Sequence, residues 1–270
     1  MSISAHPVAL ITGASSGIGR ASALSLVAAG YRVFGTSRKP TNTAPRGVTM
    51  LVADVTDDRL VEQLVAEVLA TAGRIDLLVN NAGYALSGAA EESSIGQVQA
   101  LFDTNFLGVV RVTNAILPIM RQQGRGRILN IGSVVGLIPG PFGAYYAASK
   151  HAIEGYSESL DHEVRPFGIR VSVMEPWATK TSIETNSPKG DRPVAAYAGT
   201  IARYRMAFDA AMAAGDTAED VAATVLLAAQ DRTPRLRYPS GKAARQTSFA
   251  RRFLPRSVFD RTLRKQFNIA

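Results

Sequence analysis

Residues 8–19, VALITGASSGIG, decide the fold of this 270-residue chain. VALIT (8–12) is apolar and β-rich, which reads as a buried strand. It runs directly into glycines at 13, 17 and 19, and 17–29 then reads as a helix. Such a turn lets backbone approach a pyrophosphate closely, and the helix N-terminus presents N–H groups and a partial positive charge to it. The spacing is GxxxGxG, not the GxGxxG of the standard dinucleotide fingerprint. Taken alone, it also fits a plain strand-to-helix turn.

Outward from this stretch, strand-like and helix-like segments alternate. YRVFGTS (31–37), VTMLVAD (48–54), IDLLVN (75–80), GRILNIGS (126–133) and IRVSVME (169–175) read as strands. Apolar residues at 60, 61, 64, 65, 68 and 69 have helical spacing over 57–72, with Asp57 as N-cap. A long helix is predicted over 94–122, bending near Pro118, and another over 144–165. This alternation predicts an α/β fold: one doubly wound, Rossmann-type parallel sheet with helices on both faces. Residues 1–270 read as a single domain. Within it, 181–215 has no strand pattern and reads as an insertion between two sheet elements, with a helix in AYAGTIARYRMAFDAAMAA.

Composition excludes several classes. Cysteine is absent, so there are no disulfides and no thiolate chemistry. Three histidines, His6, His151 and His162, make a catalytic zinc site improbable, and no metal is expected. No apolar run reaches the length of a membrane span, and the N-terminus has no basic leader followed by an apolar stretch. A cytoplasmic enzyme is the expectation. The formal charge of +8 is concentrated in a basic C-terminal extension, 231–270, where 11 basic residues face only Asp231 and Asp260. Nucleic acid is not expected as a partner. In the tail, arginines flank an apolar stripe with the spacing of an amphipathic helix. Two readings stand: packing on the body as a wall of the substrate pocket, or peripheral contact with a membrane surface.

Two further signals carry chemistry. Where a dinucleotide-binding chain selective for NAD places an acidic residue against the ribose 2′-hydroxyl, this chain has Arg38 and Lys39. A guanidinium binds a 2′-phosphate bidentately, so NADP(H) is favoured over NAD(H). Tyr146 and Lys150 stand at i and i+4, on one helix face. An ammonium beside a phenol stabilises the phenolate and brings the proton within reach of neutral pH. Tyr145 lies well around the helix from Lys150.

TGASSGIG (12–19), NNAG (80–83), Asn105, Ser133 and Tyr146-x-x-x-Lys150 occur together and in order. Over about residues 7–181 this resembles the short-chain dehydrogenase/reductase family, in its steroid- and retinol-dehydrogenase-like branch. The resemblance implies about seven strands and hydride transfer between a nicotinamide and a carbonyl or alcohol carbon. It implies Tyr146 as general acid/base, Lys150 as its modulator and ribose ligand, Ser133 as the substrate hydrogen-bond partner, and Asn105 as holder of a water. Gly13, Ser15, Ser16, Gly17, Ile18 and Gly19 would line the pyrophosphate and Arg38 the 2′-phosphate. Asp54 and Val55 would lie at the adenine, Asn81, Ala82 and Gly83 along the cofactor, and Pro176, Thr179 and Thr181 at its nicotinamide end. A single NADP(H)-binding catalytic domain over 1–270, with its substrate pocket closed by the 181–215 insertion as a lid and by the loop at 84–95, is also implied, as is a homodimer or homotetramer packed through 94–122 and 144–165.

The chain departs from the family at Pro176-Trp177, where Pro-Gly is usual. Trp177 cannot take a positive φ as readily as glycine, and it reads instead as a substrate-pocket wall with Ser133 and Tyr146. No charged residue lies between Ser133 and Lys150, so a small hydrophobic ketone or secondary alcohol is the expected substrate. The alternative is a non-catalytic NADP(H)-sensing or interaction protein on the same fold.

Overall fold

Strands that read as unbroken apolar runs need cover on both faces, and they receive it. The computed structural model describes residues 6–41, 43–181, 183 and 187–269. Part of the N-terminal stretch (1–5), residue 42, part of the 181–215 insertion (182 and 184–186) and residue 270 lie outside the described residues.

The order is β1 (Val8–Ile11), α1 (Gly17–Ala28), β2 (Arg32–Ser37), β3 (Val48–Val52), α2 (Asp58–Ala72), β4 (Leu77–Asn80), α3 (Ile95–Phe102), α4 (Gly108–Gln123), β5 (Gly126–Ile131), α5 (Ala144–Val164), β6 (Ile169–Pro176), β7 (Thr179–Lys180), α6 (Ala198–Ala213), β8 (Asp216–Thr217), α7 (Ala218–Gln230), β9 (Arg237–Ser240), α8 (Gly241–Phe253) and α9 (Arg256–Gln266). Seven strands form one parallel sheet in the order β3-β2-β1-β4-β5-β6-β9. The order reverses direction between β1 and β4, the switch point at which open α/β sheets bind ligands. Helices α2, α4 and α5 pack on one face through Leu64, Val112, Ile116 and Leu160; α1 and α7 cover the other through Leu26 and Val225. A buried ladder ties the centre together: Asn80 Nδ2 donates to Thr113 Oγ1 and Asn130 Oδ1, and Asn130 Nδ2 donates to Ser157 Oγ. Asp57 caps α2, accepting from the backbone N–H groups of Arg59 and Leu60.

Three features differ from the sequence expectation. The 94–122 helix carries a π-helical turn at Asp103–Leu107 that no sequence signal announced, and Pro118 sits inside α4. Such turns accommodate an extra residue without ending the helix, and this one carries Asn105. The 231–270 segment opens inside the sheet, because Arg237–Ser240 supplies the seventh strand beside β6. Its sequence, RYPS, is short and contains a proline, tolerated on an edge strand, so no strand signal marked it. Finally, Trp177 is not among the non-glycine residues of positive φ in the described chain, which are Phe142 and Asn268. The turn after β6 therefore makes no demand for the glycine that is missing.

Candidate active site

The glycine loop is held by backbone and by one asparagine. Ala14 N donates to Thr36 O at 2.8 Å, and the Asn81 and Ala82 N–H groups both donate to Thr12 Oγ1. Asn81 Nδ2 donates to the carbonyls of Thr12 and Gly13 at 2.9 and 3.0 Å. That clamp leaves no room beneath the loop: a Cβ on Gly19 would lie 2.2 Å from Gly13 O. Gly13 itself has φ +67°, a conformation that glycine adopts without the Cβ penalty. The loop opens onto a groove lined also by Ser15, Ser16, Gly17, Ile18, Thr36, Ser37, Arg38, Asp54, Val55, Ala82 and Gly83. Arg38 is exposed at its rim. Asp54 is turned inward on its own loop, accepting from Thr56 N and Oγ1.

The groove continues into a second cavity, with Ile18, Asn81, Gly83, Tyr84, Thr181 and Ile183 common to both. Here Ser133, Tyr146, Lys150, Pro176, Trp177 and Thr179 converge. β5 ends just before Ser133, whose Oγ accepts from Val135 N at 3.3 Å and lies 3.4 Å from Pro176 O. Lys150 is buried, and its Nζ donates to Ile131 O at 2.7 Å. The ammonium stands 5.6 Å from the centre of the Tyr146 ring. Burial depresses the Lys150 pKa to about 8, against the opposing pull of Glu154 one turn further along α5. Thr179 Oγ1 donates to Trp177 O, fixing the turn after β6.

Asn105 occupies the π-helical turn. Its side chain is engaged on three sides: Oδ1 accepts from Tyr84 N, and Nδ2 donates to Tyr84 O and Ser149 Oγ. It clasps the 81–84 loop to α5. His151 and His162 are exposed, away from the cavity.

Far from Ser133 the cavity is apolar and aromatic. Phe142, Tyr204, Phe208, Met212 and Phe267 line it, and Phe142 is a non-glycine residue at φ +54°. Segments 84–95 and 181–215 meet at its edge: Ser87 bridges Lys189, and Glu92 accepts from Ala89 N and Val194 N. The tail closes the far side. Phe259, Leu263 and Phe267 of the C-terminal segment are buried against Ile138, Trp177, Tyr204 and Phe208, which favours the pocket-wall reading of that stripe.

Sequence reasoning missed two groups. Arg205, on α6, is the charged side chain that accompanies Lys150 in this lining. Behind Lys150, Glu154 and Glu175 are both buried, with Arg237 2.9 Å from Glu154 and 3.5 Å from Glu175. Burial, and then the Glu154 charge, push the Glu175 carboxyl up to about 7. No spacing rule links residues on α5, β6 and β9, so only the fold could reveal this cluster.

Comparison with known proteins agrees with this geometry. Residues 7–192 match the family described as short chain dehydrogenase. The chain is 45% identical over 179 residues to a 3-ketodihydrosphingosine reductase of Bacteroides thetaiotaomicron, a match spanning 66% of each chain. It superposes on a short-chain dehydrogenase from Streptomyces avermitilis with TM-score 0.81 and 34% identity, covering 97% of this chain and 98% of that one. A short chain dehydrogenase/reductase from Burkholderia phymatum in complex with NAD gives TM-score 0.80 at 29% identity, over 93% and 95% of the two chains.

Proposed function

The chain belongs to the short-chain dehydrogenases, and on that premise we propose that it transfers a hydride between NADP(H) and the carbonyl or secondary alcohol carbon of a hydrophobic, lipid-like molecule. The observation that carries the reading is the convergence of Ser133, Tyr146 and Lys150 at one end of an apolar, aromatic-walled cavity that joins the glycine-loop groove.

The groove fits a dinucleotide. It has a glycine loop held so closely by its own backbone that Gly19 admits no Cβ, a helix N-terminus for phosphate, and an exposed arginine where the 2′-phosphate would lie. Gly13, Ser15, Ser16, Gly17, Ile18 and Gly19 would hold the pyrophosphate, Asp54 and Val55 the adenine end, Asn81, Ala82 and Gly83 the middle. Lys150, Pro176, Thr179 and Thr181 would hold the reactive end. When bound, the nicotinamide supplies or accepts the hydride. Ser133 Oγ orients the substrate oxygen, and in reduction Tyr146 gives that oxygen its proton; in oxidation it takes the proton back. Lys150, buried and close to the Tyr146 ring, stabilises the phenolate that remains. Trp177, Phe142, Tyr204, Phe208 and Phe267 exclude water and receive an apolar substrate, while Arg205 can meet a polar head group at the α6 side. The 3-ketodihydrosphingosine reductase acts, by its name, on a keto lipid, which favours this substrate class. Assembly into a homodimer or homotetramer through α4 and α5 belongs to the same reading.

The test is a panel of long-chain ketones and secondary alcohols, followed by nicotinamide absorbance with NADPH and NADH. Turnover that improves with apolar chain length and prefers NADPH is expected. Turnover confined to small polar carbonyls would overturn the substrate class. Arg38→Asp tests the cofactor: hydrogen bonds to charged groups contribute about 1.5–3 kcal/mol, so the NADPH/NADH affinity ratio should fall by one to two decades. An unchanged ratio would remove Arg38 from the site.

A further inference from the structure

The inner apolar stripe of α9 packs on the pocket wall, yet the corner between α8 and α9 carries a second apolar group that none of the described residues covers. Phe249, Phe253, Leu254 and Val258 are 66%, 62%, 44% and 44% exposed. The two phenylalanine rings lie 4.6 Å apart, centre to centre, and Arg252 stands over Phe253. Every residue from 251 to 258 is exposed. Isolated exposed apolar side chains are ordinary, but four at one helical corner mark an interaction surface.

Charge selects the occupant. Between residues 242 and 265, eight basic residues face a single acid, Asp260. Arg251, Arg252, Arg256, Arg261, Arg264 and Lys265 make no ion pair among the described residues. The inner stripe of Phe259, Leu263 and Phe267 fixes α9 on the body, so these cations project from a rigid support and not from a loose tail. We propose that the α8–α9 corner is a docking surface for an anionic lipid bilayer. In it Phe253 and Leu254 enter the headgroup layer, and the surrounding arginines and lysines meet lipid phosphates. A second copy of the chain fits the corner poorly, because two-fold pairing would set arginines against arginines. A single-stranded nucleic acid fits less well, because Phe249 and Phe253 pack on each other, Arg252 stands over Phe253, and Leu254 and Val258 offer no face on which a base can stack.

This inference concerns where the protein sits and is independent of the substrate reading. The structure divides the tail stripe noticed in the sequence: Phe259, Leu263 and Phe267 are buried against the body, while Phe253, Leu254 and Val258 are exposed and join Phe249 at this corner. Arg251 Nε donates to Leu137 O of the pocket wall, so a docked corner lies against the wall of the substrate cavity.

The full-length protein would be sedimented with phosphatidylcholine vesicles containing or lacking phosphatidylglycerol, across a salt series. Binding to the anionic vesicles alone, weakening as salt rises, is expected. Phe253→Ser with Leu254→Ser, and separately Arg252→Glu with Arg256→Glu, should each lower the partition by about ten- to a hundredfold. All four side chains are exposed, so melting temperature and turnover of a water-soluble ketone should stay as in the unmodified protein. Absence of sedimentation with anionic vesicles at low salt would overturn the proposal, and so would binding that both double variants retain. It would equally fall if light scattering gave a self-association that the Phe253/Leu254 variant abolished while vesicle binding was absent.

Discussion

The two ends of the cleft are built from different materials. At the glycine loop, backbone and Asn81 make the structure: carbonyls of Thr12 and Gly13 are clamped, and Gly19 leaves no space for a methyl group. At the apolar end, side chains make it: Trp177, Tyr204, Phe208, Phe259 and Phe267 pack together from three distant stretches of chain. The first end has a geometry fixed to tenths of an ångström and tolerates few residues. The second is an apolar cluster whose volume matters more than its identities. One chain can therefore keep a constant cofactor cradle while its substrate wall changes freely.

The contrast can be broken most severely where the two ends meet. Tyr146→Phe should lower kcat by about 10²–10⁴-fold, the usual contribution of general acid–base catalysis, while a fluorescence titration finds NADPH affinity nearly unchanged. Retention of near-normal kcat would show that the acid lies elsewhere. Next comes Gly19→Ala. The new methyl meets a backbone carbonyl that cannot swing away, and overpacking of this kind costs about 1–3 kcal/mol. Cofactor affinity or melting temperature should fall accordingly, and a neutral outcome would mean the loop is softer than its clamp implies.

At the other end, Phe267→Ala should leave the NADPH Kd unchanged and raise KM for long-chain substrates about three- to tenfold, since a buried aromatic contributes about 1.5–3 kcal/mol and the cluster can partly close. Equal effects on NADPH and substrate would erase the distinction between the two ends. The mildest test is pH. Burial holds the Lys150 pKa at about 8, and its ammonium favours the phenolate of the adjacent Tyr146. As pH climbs and the phenol gives up its proton, reduction should slow and oxidation should quicken, because the phenolate accepts a proton and no longer gives one. Parallel pH–rate profiles in the two directions would point to a different proton donor.

Much of this was legible in advance, for reasons that differ by element. β1, the glycine loop and α1 are local: a buried strand, a turn that glycine alone permits and a helix follow one another within twenty-one residues. Tyr146 and Lys150 are local too, one helical turn apart. The π-helical turn at Asp103–Leu107 was not legible, because its sequence continues the helical pattern on either side. Nor was β9, whose four residues become a strand only when β6 offers an edge. Arg205 entered the cavity lining unannounced, since only the packing of α6 brings it there.

The sequence alone determined the doubly wound sheet, the glycine loop and the placing of Tyr146 and Lys150 on one helix face. Each of these rests on short-range constraints: the period of burial along a strand, the φ values open to glycine, and the spacing of i and i+4 on a helix. Tertiary structure alone decided that the inner C-terminal stripe closes the apolar cavity beside Tyr146, that Glu154, Glu175 and Arg237 gather behind Lys150, and that the α8–α9 corner stays exposed. Those outcomes depend on which surfaces meet after some hundred residues of intervening chain have folded. An amphipathic pattern specifies that a face will be buried, but the partner that buries it is set by the shape of the rest of the molecule.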